Sequence, residues 1–294
     1  MDQKLTKCKS CPRQCNIDRS LYKGACGMGG LVKVAKAFLH KWEEPCISGT
    51  NGSGTVFFSG CNLRCVYCQN YAISQQHFGK EITPKELSEI YIRLQEMGAH
   101  NINLVTPSHF IPQIRESILS AKSLKIPVIY NSNGYDNIDG LKMIEGLVDV
   151  FLPDLKYFTD ETAVRYSRAD NYFEVSSAAV MEMYRQVGTP VFDENGIIKK
   201  GLVIRHLILP GLVNESIKIL DFIKNNFPDD VYVSLMSQYT PCYKAEDYPE
   251  ISRRIIRREY ERVLNHFFKL GLKNGYIQER DSAKKEYIPD FDLE

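Results

Sequence analysis

Gly60-Cys61-Asn62-Leu63-Arg64-Cys65-Val66-Tyr67-Cys68-Gln69-Asn70 follows directly on the apolar run Thr55-Val56-Phe57-Phe58-Ser59. The run reads as a strand, so three cysteines spaced C-x3-C-x2-C lie on the loop that leaves it. Three thiolates can hold three irons of a 4Fe–4S cluster, where a closed electron-transfer cluster takes four cysteines. The fourth iron is then open to another ligand, as a catalytic metal keeps an open position. Competing readings are weaker. Zinc wants four protein ligands, and no fourth cysteine or histidine stands close behind Cys68. Disulfides need an oxidising compartment, which nothing in the chain supports. Inert buried cysteines would have no reason to adopt this spacing.

The chain has 294 residues, enough for one large domain with a small appendage. Its composition, 44% hydrophobic and 25% charged, is that of an ordinary globular protein. It contains no apolar run of about eighteen residues, so no membrane span is expected. The start, Met1-Asp2-Gln3-Lys4-Leu5-Thr6-Lys7-Cys8, has no apolar signal core, and a cytoplasmic location is expected. A net charge of +1 gives no reason to expect nucleic-acid binding. Nine cysteines in such a chain point to metals or redox chemistry. Four of them, Cys8, Cys11, Cys15 and Cys26, crowd the N-terminus. They suit zinc or an auxiliary iron–sulfur cluster, and a reduced, metal-free state is the third alternative.

Residues 1–50 read as a cysteine-rich, loop-rich cap, in which Lys23-Gly24-Ala25-Cys26-Gly27-Met28-Gly29-Gly30 supplies turns. Residues 51–275 form the core and 276–294 a polar surface tail. In the core, strand candidates are Thr55–Ser59, Ile102–Thr106, Pro127–Ser132, Val148–Leu155, Leu202–Leu209 and Val231–Leu235. Between them fall amphipathic segments. The clearest starts at Thr83-Pro84-Lys85-Glu86, a capping box with proline in the first turn. Others are Ser108–Leu124, Asn137–Leu147, Tyr172–Gln186, Asn214–Asn226 and Pro249–Leu270. Alternating strands and helices argue for an α/β fold of parallel βα units. That periodicity fits an open doubly wound sheet as well as a partial barrel. In either, active sites gather where the motif lies, beyond a strand's carboxyl end.

The three-cysteine motif, with an aromatic before its last cysteine, resembles the signature of the radical S-adenosylmethionine (SAM) superfamily. The rest of the chain resembles relatives of pyruvate formate-lyase activating enzyme, in Cys11-Pro12-Arg13-Gln14-Cys15 and in the stretch from Gly52 to Asn62. The resemblance implies a partial (β/α)6 TIM-like barrel. It implies a 4Fe–4S cluster on Cys61, Cys65 and Cys68, with SAM chelating the open iron and being cleaved to a 5′-deoxyadenosyl radical. Tyr67, within the motif, would face the cofactor.

Single positions carry over. Asn131-Ser132-Asn133-Gly134 resembles the activase Asp-Thr-Asn-Gly segment beside the SAM carboxylate, where Asn131 replaces an aspartate that helps bind a monovalent cation. Asp154-Leu155-Lys156 matches a motif that lines the SAM and substrate pocket. Physically, a carboxylate balances the positive SAM groups and a lysine meets a carboxylate; a surface ion pair is the bland alternative. Where a Gly-Gly-Glu-Pro-like segment is usual, this chain has Val105-Thr106-Pro107-Ser108-His109. Thr106 could contact SAM through its carbonyl or hydroxyl, and His109 could move protons or cap the next helix. Arg205 is a candidate cofactor contact, while His206 should face the helices by strand alternation. Gln238 and Tyr239 are weaker candidates, Cys242 reads as a loop thiol, and the arginines between 253 and 258 read as a solvated face.

The implied function is activation of a partner, a glycyl radical enzyme or other protein substrate, with flavodoxin or ferredoxin as electron donor. The alternatives are radical modification of a small molecule or RNA, and a non-catalytic iron–sulfur electron carrier.

Overall fold

The computed structural model of the protein describes residues 6–278. The expected surface tail, apart from its first three residues (276–278), lies outside the described residues. Ten strands are present among these: β1 (Val32–His40), β2 (Ser53–Phe58), β3 (Lys80–Ile82), β4 (Ile102–Val105), β5 (Val128–Ser132), β6 (Val150–Pro153), β7 (Val191–Phe192), β8 (Ile198–Leu207), β9 (Tyr232–Met236) and β10 (Gly275–Ile277). The helices are α1 (Pro45–Ser48), α2 (Tyr71–Ser74), α3 (Pro84–Glu96), α4 (Ile111–Ser120), α5 (Ile138–Met143), α6 (Asp160–Ser167), α7 (Tyr172–Val187), α8 (Val213–Asn226) and α9 (Arg257–Lys269).

All six expected strands exist, and they pair in parallel in the order β2-β4-β5-β6-β8-β9. β10 extends this run in parallel beyond β9, while β1 and β3 extend it antiparallel beyond β2. The result is a mixed, open sheet consistent with a partial barrel. One sheet face packs on the helices through Val56, Leu104, Tyr130, Phe151, Ile204 and Leu235. The other carries Ile129, Val150, Leu152 and Val203, and is closed at one end by Cys46 and Ile47 of α1. Strand alternation therefore sends Asn103, Asn131, Asp154 and Arg205 to this helix-free face.

Two differences from the sequence reading have local causes. The first fifty residues hold a nine-residue strand, β1, with a bulge between Val34 and Lys36. Its Val-Lys-Val-Ala-Lys alternation is a strand pattern, and it pairs with β2 because that strand leads the parallel series. The last helix starts at Arg257 rather than Pro249, because the Glu259 carboxylate takes the backbone N–H of Ile256 at 2.9 Å and fixes the start there.

The capping box before α3 is present: Glu86 N–H donates to Thr83 Oγ1 at 3.2 Å, and Thr83 N–H to Glu86 Oε2 at 2.7 Å. Thr83→Ala should cost about 1 kcal/mol of stability, measured as a lowered denaturation midpoint with an unchanged slope.

Candidate functional site

The loop after β2 turns at Gly60, whose φ of +78 and tight surroundings exclude a side chain: a Cβ would sit 2.7 Å from the Cys26 carbonyl oxygen. Beyond it the three thiols are free, Cys61 buried and Cys65 and Cys68 partly so. Each sulfur has a polar neighbour of its own. Cys61 Sγ accepts from Leu63 N–H at 3.4 Å and from Asn133 Nδ2 at 3.3 Å. Cys65 Sγ accepts from Ser167 Oγ at 2.9 Å, and Cys68 Sγ lies 3.2 Å from Ser74 Oγ.

Burial pushes the Cys61 thiol up to about 12, with Cys65 and then Cys68 adding to it. Cys68 is pushed to about 12 by burial and by Cys65, against the pull of Ser74 and Lys156. Cys65 is also raised by burial, although Lys156 and Ser167 oppose this. Three thiols thus share one electrostatic neighbourhood, where only a bound cation would let all of them ionise. Among the described residues, no three Cys, His, Asp or Glu side chains are placed to ligate a single metal ion. Zinc needs such convergence. A cluster gives each thiolate its own iron and tolerates N–H and O–H donors on its sulfurs, so this donor set fits a cluster.

The supporting residues are polar and buried. Asn133 Nδ2 also holds Asn62 Oδ1 at 2.7 Å, and Asn62 Nδ2 donates to the Tyr135 carbonyl at 2.6 Å. Gly134, at φ +77, lets this turn press against the Asp154 carbonyl. Tyr67 is buried, with its hydroxyl 2.5 Å from that of Tyr157. Tyr157 lies 2.6 Å from Ser167 Oγ, so a run of hydroxyls ends on the Cys65 sulfur. The Tyr67 ring packs edge-on to Tyr239.

Asp154, Lys156, Arg205 and Asn131 come together on the helix-free face. Lys156 Nζ meets Asp154 Oδ2 at 2.6 Å, Arg205 Nε meets Asp154 Oδ1 at 2.8 Å, and an Arg205 terminal nitrogen donates to Asn131 Oδ1 at 2.7 Å. The surface-pair alternative is excluded, since the Asp154 and Lys156 side chains are only 13% and 16% exposed. Burial pushes the Asp154 carboxyl up, but Arg205 and then Lys156 outweigh it and hold the pKa below its ordinary value. Burial lowers Lys156 and Arg205, but their negative partners together outweigh it: Asp154 and then Cys65 raise Lys156, and Asp154, Glu44 and Glu43 raise Arg205. The cluster of charges is ionised at neutral pH. On the same face, the Asn103 side-chain amide nitrogen and oxygen are buried without a hydrogen-bond partner among the described residues.

Glu43 and Glu44 complete this network, and the sequence reading missed them. They follow β1 into α1, and Glu43 Oε2 lies 3.3 Å from Arg205. Burial raises the Glu44 carboxyl to about 7, Arg205 opposes this, and Glu43 adds to it. Folded Glu44 holds its proton above the unfolded value of 4.5, so stability falls as pH rises from about 4.5 to about 7 and is flat above. The loss is about 3 kcal/mol. Glu44→Gln should remove this slope and leave the variant more stable than wild type at pH 8, as urea denaturation at pH 5 and pH 8 would measure.

Other predicted residues fall elsewhere. Thr106 follows β4 directly with φ +61, rare for a β-branched residue, at the position where the usual pattern is glycine-rich. Ser132 Oγ accepts from Gly134 N–H at 3.2 Å, within the turn that supports Asn133. His109 does not cap the following helix: it is buried, its Nε2 lies 2.8 Å from the Ser59 carbonyl, and burial followed by Arg19 lowers it to about 3. His206 faces the helices as expected, 2.8 Å from Ser216 Oγ of α8. Cys242 donates to the Tyr67 carbonyl at 3.1 Å, and Gln238 Nε2 lies 3.9 Å from the Met236 sulfur. Arg253 and Arg257 pair with Glu259 and Glu261 at 2.7 and 2.6 Å, a solvated face.

The comparisons agree with this architecture. Uncharacterized protein MJ0674 of Methanocaldococcus jannaschii is 34% identical over 267 residues, covering 87% of this chain and 73% of that protein. Uncharacterized protein MJ0808 of the same organism is 24% identical, covering 94% and 82%. In fold, the chain is similar to Streptococcus suis SuiB, solved bound to precursor peptide SuiA, with TM-score 0.50 and 15% identity over 74% of this chain. It spans only 46% of that chain's length. The family model for the radical SAM superfamily matches residues 55–223, from β2 through α8, and so takes in the three-cysteine loop, Asp154, Lys156 and Arg205. The chain belongs to the radical SAM superfamily, whose members use a 4Fe–4S cluster and SAM.

Proposed function

We propose that this chain is an enzyme that holds a 4Fe–4S cluster on Cys61, Cys65 and Cys68, binds SAM beside it, and activates a partner protein by hydrogen abstraction. When bound, the cluster supplies the electron that splits the SAM sulfonium to a 5′-deoxyadenosyl radical. The observation that carries this reading is the set of three free thiols on the loop after β2, within electrostatic reach of one another, with Lys156 close enough to lower two of them. The chain's own residues do the positioning. Asn133, Ser167 and Ser74 orient the three sulfurs. Asp154 faces the positive groups of SAM, Lys156 and Arg205 its carboxylate, and the buried setting strengthens each of these contacts. The Thr106 carbonyl, held by the left-handed backbone, is a further acceptor for the SAM amino group.

The match to the activase Asp-Leu-Lys and Asn-Gly segments favours a glycyl radical enzyme as the partner, with a flavodoxin or ferredoxin as electron donor. Anaerobically reconstituted protein given SAM and dithionite should release 5′-deoxyadenosine, and an added glycyl radical enzyme from the same cell should acquire a glycyl-radical electron paramagnetic resonance doublet. No 5′-deoxyadenosine would leave the electron-carrier reading. Deoxyadenosine without a doublet on any such enzyme would remove the partner assignment alone.

A further inference from the structure

Cys8, Cys11, Cys15 and Cys26 play no part in the site above, yet the chain folds to gather them. Cys8 N–H donates to the Ile17 carbonyl at 2.9 Å and Asn16 N–H to the Cys8 carbonyl at 3.0 Å, with Gln14 and Asn16 turning at φ 39 and 53. A Cβ on Gly24 would lie 3.6 Å from both the Cys15 and the Cys26 sulfur. Ala25 N–H donates to Cys15 Sγ at 3.3 Å. Cys11 is buried and lies within electrostatic reach of Cys26, Cys8 and Cys15. None is in a disulfide.

A second observation points to an anion in their midst. Arg19 is 1% exposed, and its guanidinium lies 5.3 Å from the Phe110 ring centroid. One terminal nitrogen donates to the His109 carbonyl, but Nε and the other terminal nitrogen have no hydrogen-bond partner. No carboxylate among the described residues forms an ion pair with it. A buried cation without a counter-charge is costly, so its setting calls for a negative group. The guanidinium lies within electrostatic reach of the Cys26 sulfur.

We propose that Cys8, Cys11, Cys15 and Cys26 ligate a second iron–sulfur cluster whose negative charge Arg19 balances. Four thiolates close every iron, so this cluster transfers electrons and does not bind SAM. Its place fits an electron relay. The Cys26 backbone abuts Gly60, Arg13 Nε donates to the Asn62 carbonyl at 2.8 Å, and Arg64 donates to the Ala25 carbonyl, so the segment packs directly on the Cys61 loop. One electron enters from a ferredoxin- or flavodoxin-type donor and leaves to the cluster on Cys61, Cys65 and Cys68. Only that last transfer rests on the function proposed above.

The test uses the full chain reconstituted anaerobically with iron and sulfide. The triple variant Cys61→Ala, Cys65→Ala, Cys68→Ala should keep about half the iron and sulfide of wild type, as expected of one cluster out of two, with a paramagnetic signal on dithionite reduction. Cys11→Ala with Cys26→Ala should lose the other half. In the triple variant, Arg19→Gln should move the remaining midpoint potential to more negative values, because a nearby cation favours the reduced, more negative cluster. A triple variant that is folded by circular dichroism yet holds no iron overturns the proposal, as does zinc at these cysteines or a potential indifferent to Arg19. If instead the triple variant keeps its cluster while wild type cleaves no SAM, the second site stands and the proposed function falls.

Discussion

Cys61→Ala, Cys65→Ala and Cys68→Ala should each abolish SAM cleavage while leaving the protein folded. Two thiolates cannot hold a cube with one open iron, so the loss is of the whole reaction and not a fraction of it. The structural cost is small by comparison. Each change deletes one sulfur, and small cavity-forming substitutions cost about 0.5–1.5 kcal/mol. Cys242→Ala serves as the control: its thiol lies near the same loop, on the Tyr67 carbonyl, but bonds no other cysteine. Deoxyadenosine yield from reconstituted protein separates the two cases. A single-cysteine variant of the loop that cleaves SAM at the wild-type rate would remove the ligand assignment.

Disruption of the buried charges should have the next largest effect, and on two separate readouts. Asp154→Ala leaves Lys156 and Arg205 together without the carboxylate that binds both, and the Glu43 contact at 3.3 Å is the longer one. Removing one partner of a buried ion pair costs about 3–5 kcal/mol. Lys156→Ala should cost less, because Asp154 keeps Arg205. Both variants should weaken SAM binding by the value of a lost charge-assisted contact, about 1.5–3 kcal/mol or roughly ten- to hundredfold. The Asp154 carboxyl lies below its ordinary pKa, so its stabilisation is complete above that value and is lost as pH falls through the folded one. Urea denaturation reads the first effect, and SAM titration of the reduced protein the second. Unchanged affinity and deoxyadenosine yield in both variants would mean that the activase-like role of these residues is wrong, while the three thiols would keep theirs.

The parts of the fold legible in sequence were those with strong local signals. Short apolar runs bounded by capped helices marked all six parallel strands, and Thr83-Pro84-Lys85-Glu86 marked its helix start to the residue. β1 was hidden because turn-forming glycines and cysteines on its N-terminal side masked a short alternation. The Asp154-Lys156-Arg205 group was reached through strand ends, since residues on one face at the carboxyl ends of neighbouring parallel strands must meet. Glu43 and Glu44 were not reachable this way. They come from a connection outside the parallel series, and nothing local says that it folds back under β8. Asn62 and Asn133 were visible as letters within the quoted motifs, but their bond to each other, between residues 71 positions apart, exists only in the folded chain. The burial of His109 was not legible either, because the N-terminal segment that covers it, with Arg19 on its carbonyl, is remote in sequence.

The central claim is that SAM binds at the cluster held by Cys61, Cys65 and Cys68. Electron paramagnetic resonance of the dithionite-reduced protein, titrated with SAM, tests it most directly. The account predicts a reduced-cluster spectrum that changes saturably as SAM is added, with the change shifted to higher SAM concentration in Lys156→Ala and no such cluster signal in Cys65→Ala. A spectrum that is unmoved by SAM at any concentration, in protein with a full complement of iron and sulfide, would contradict it.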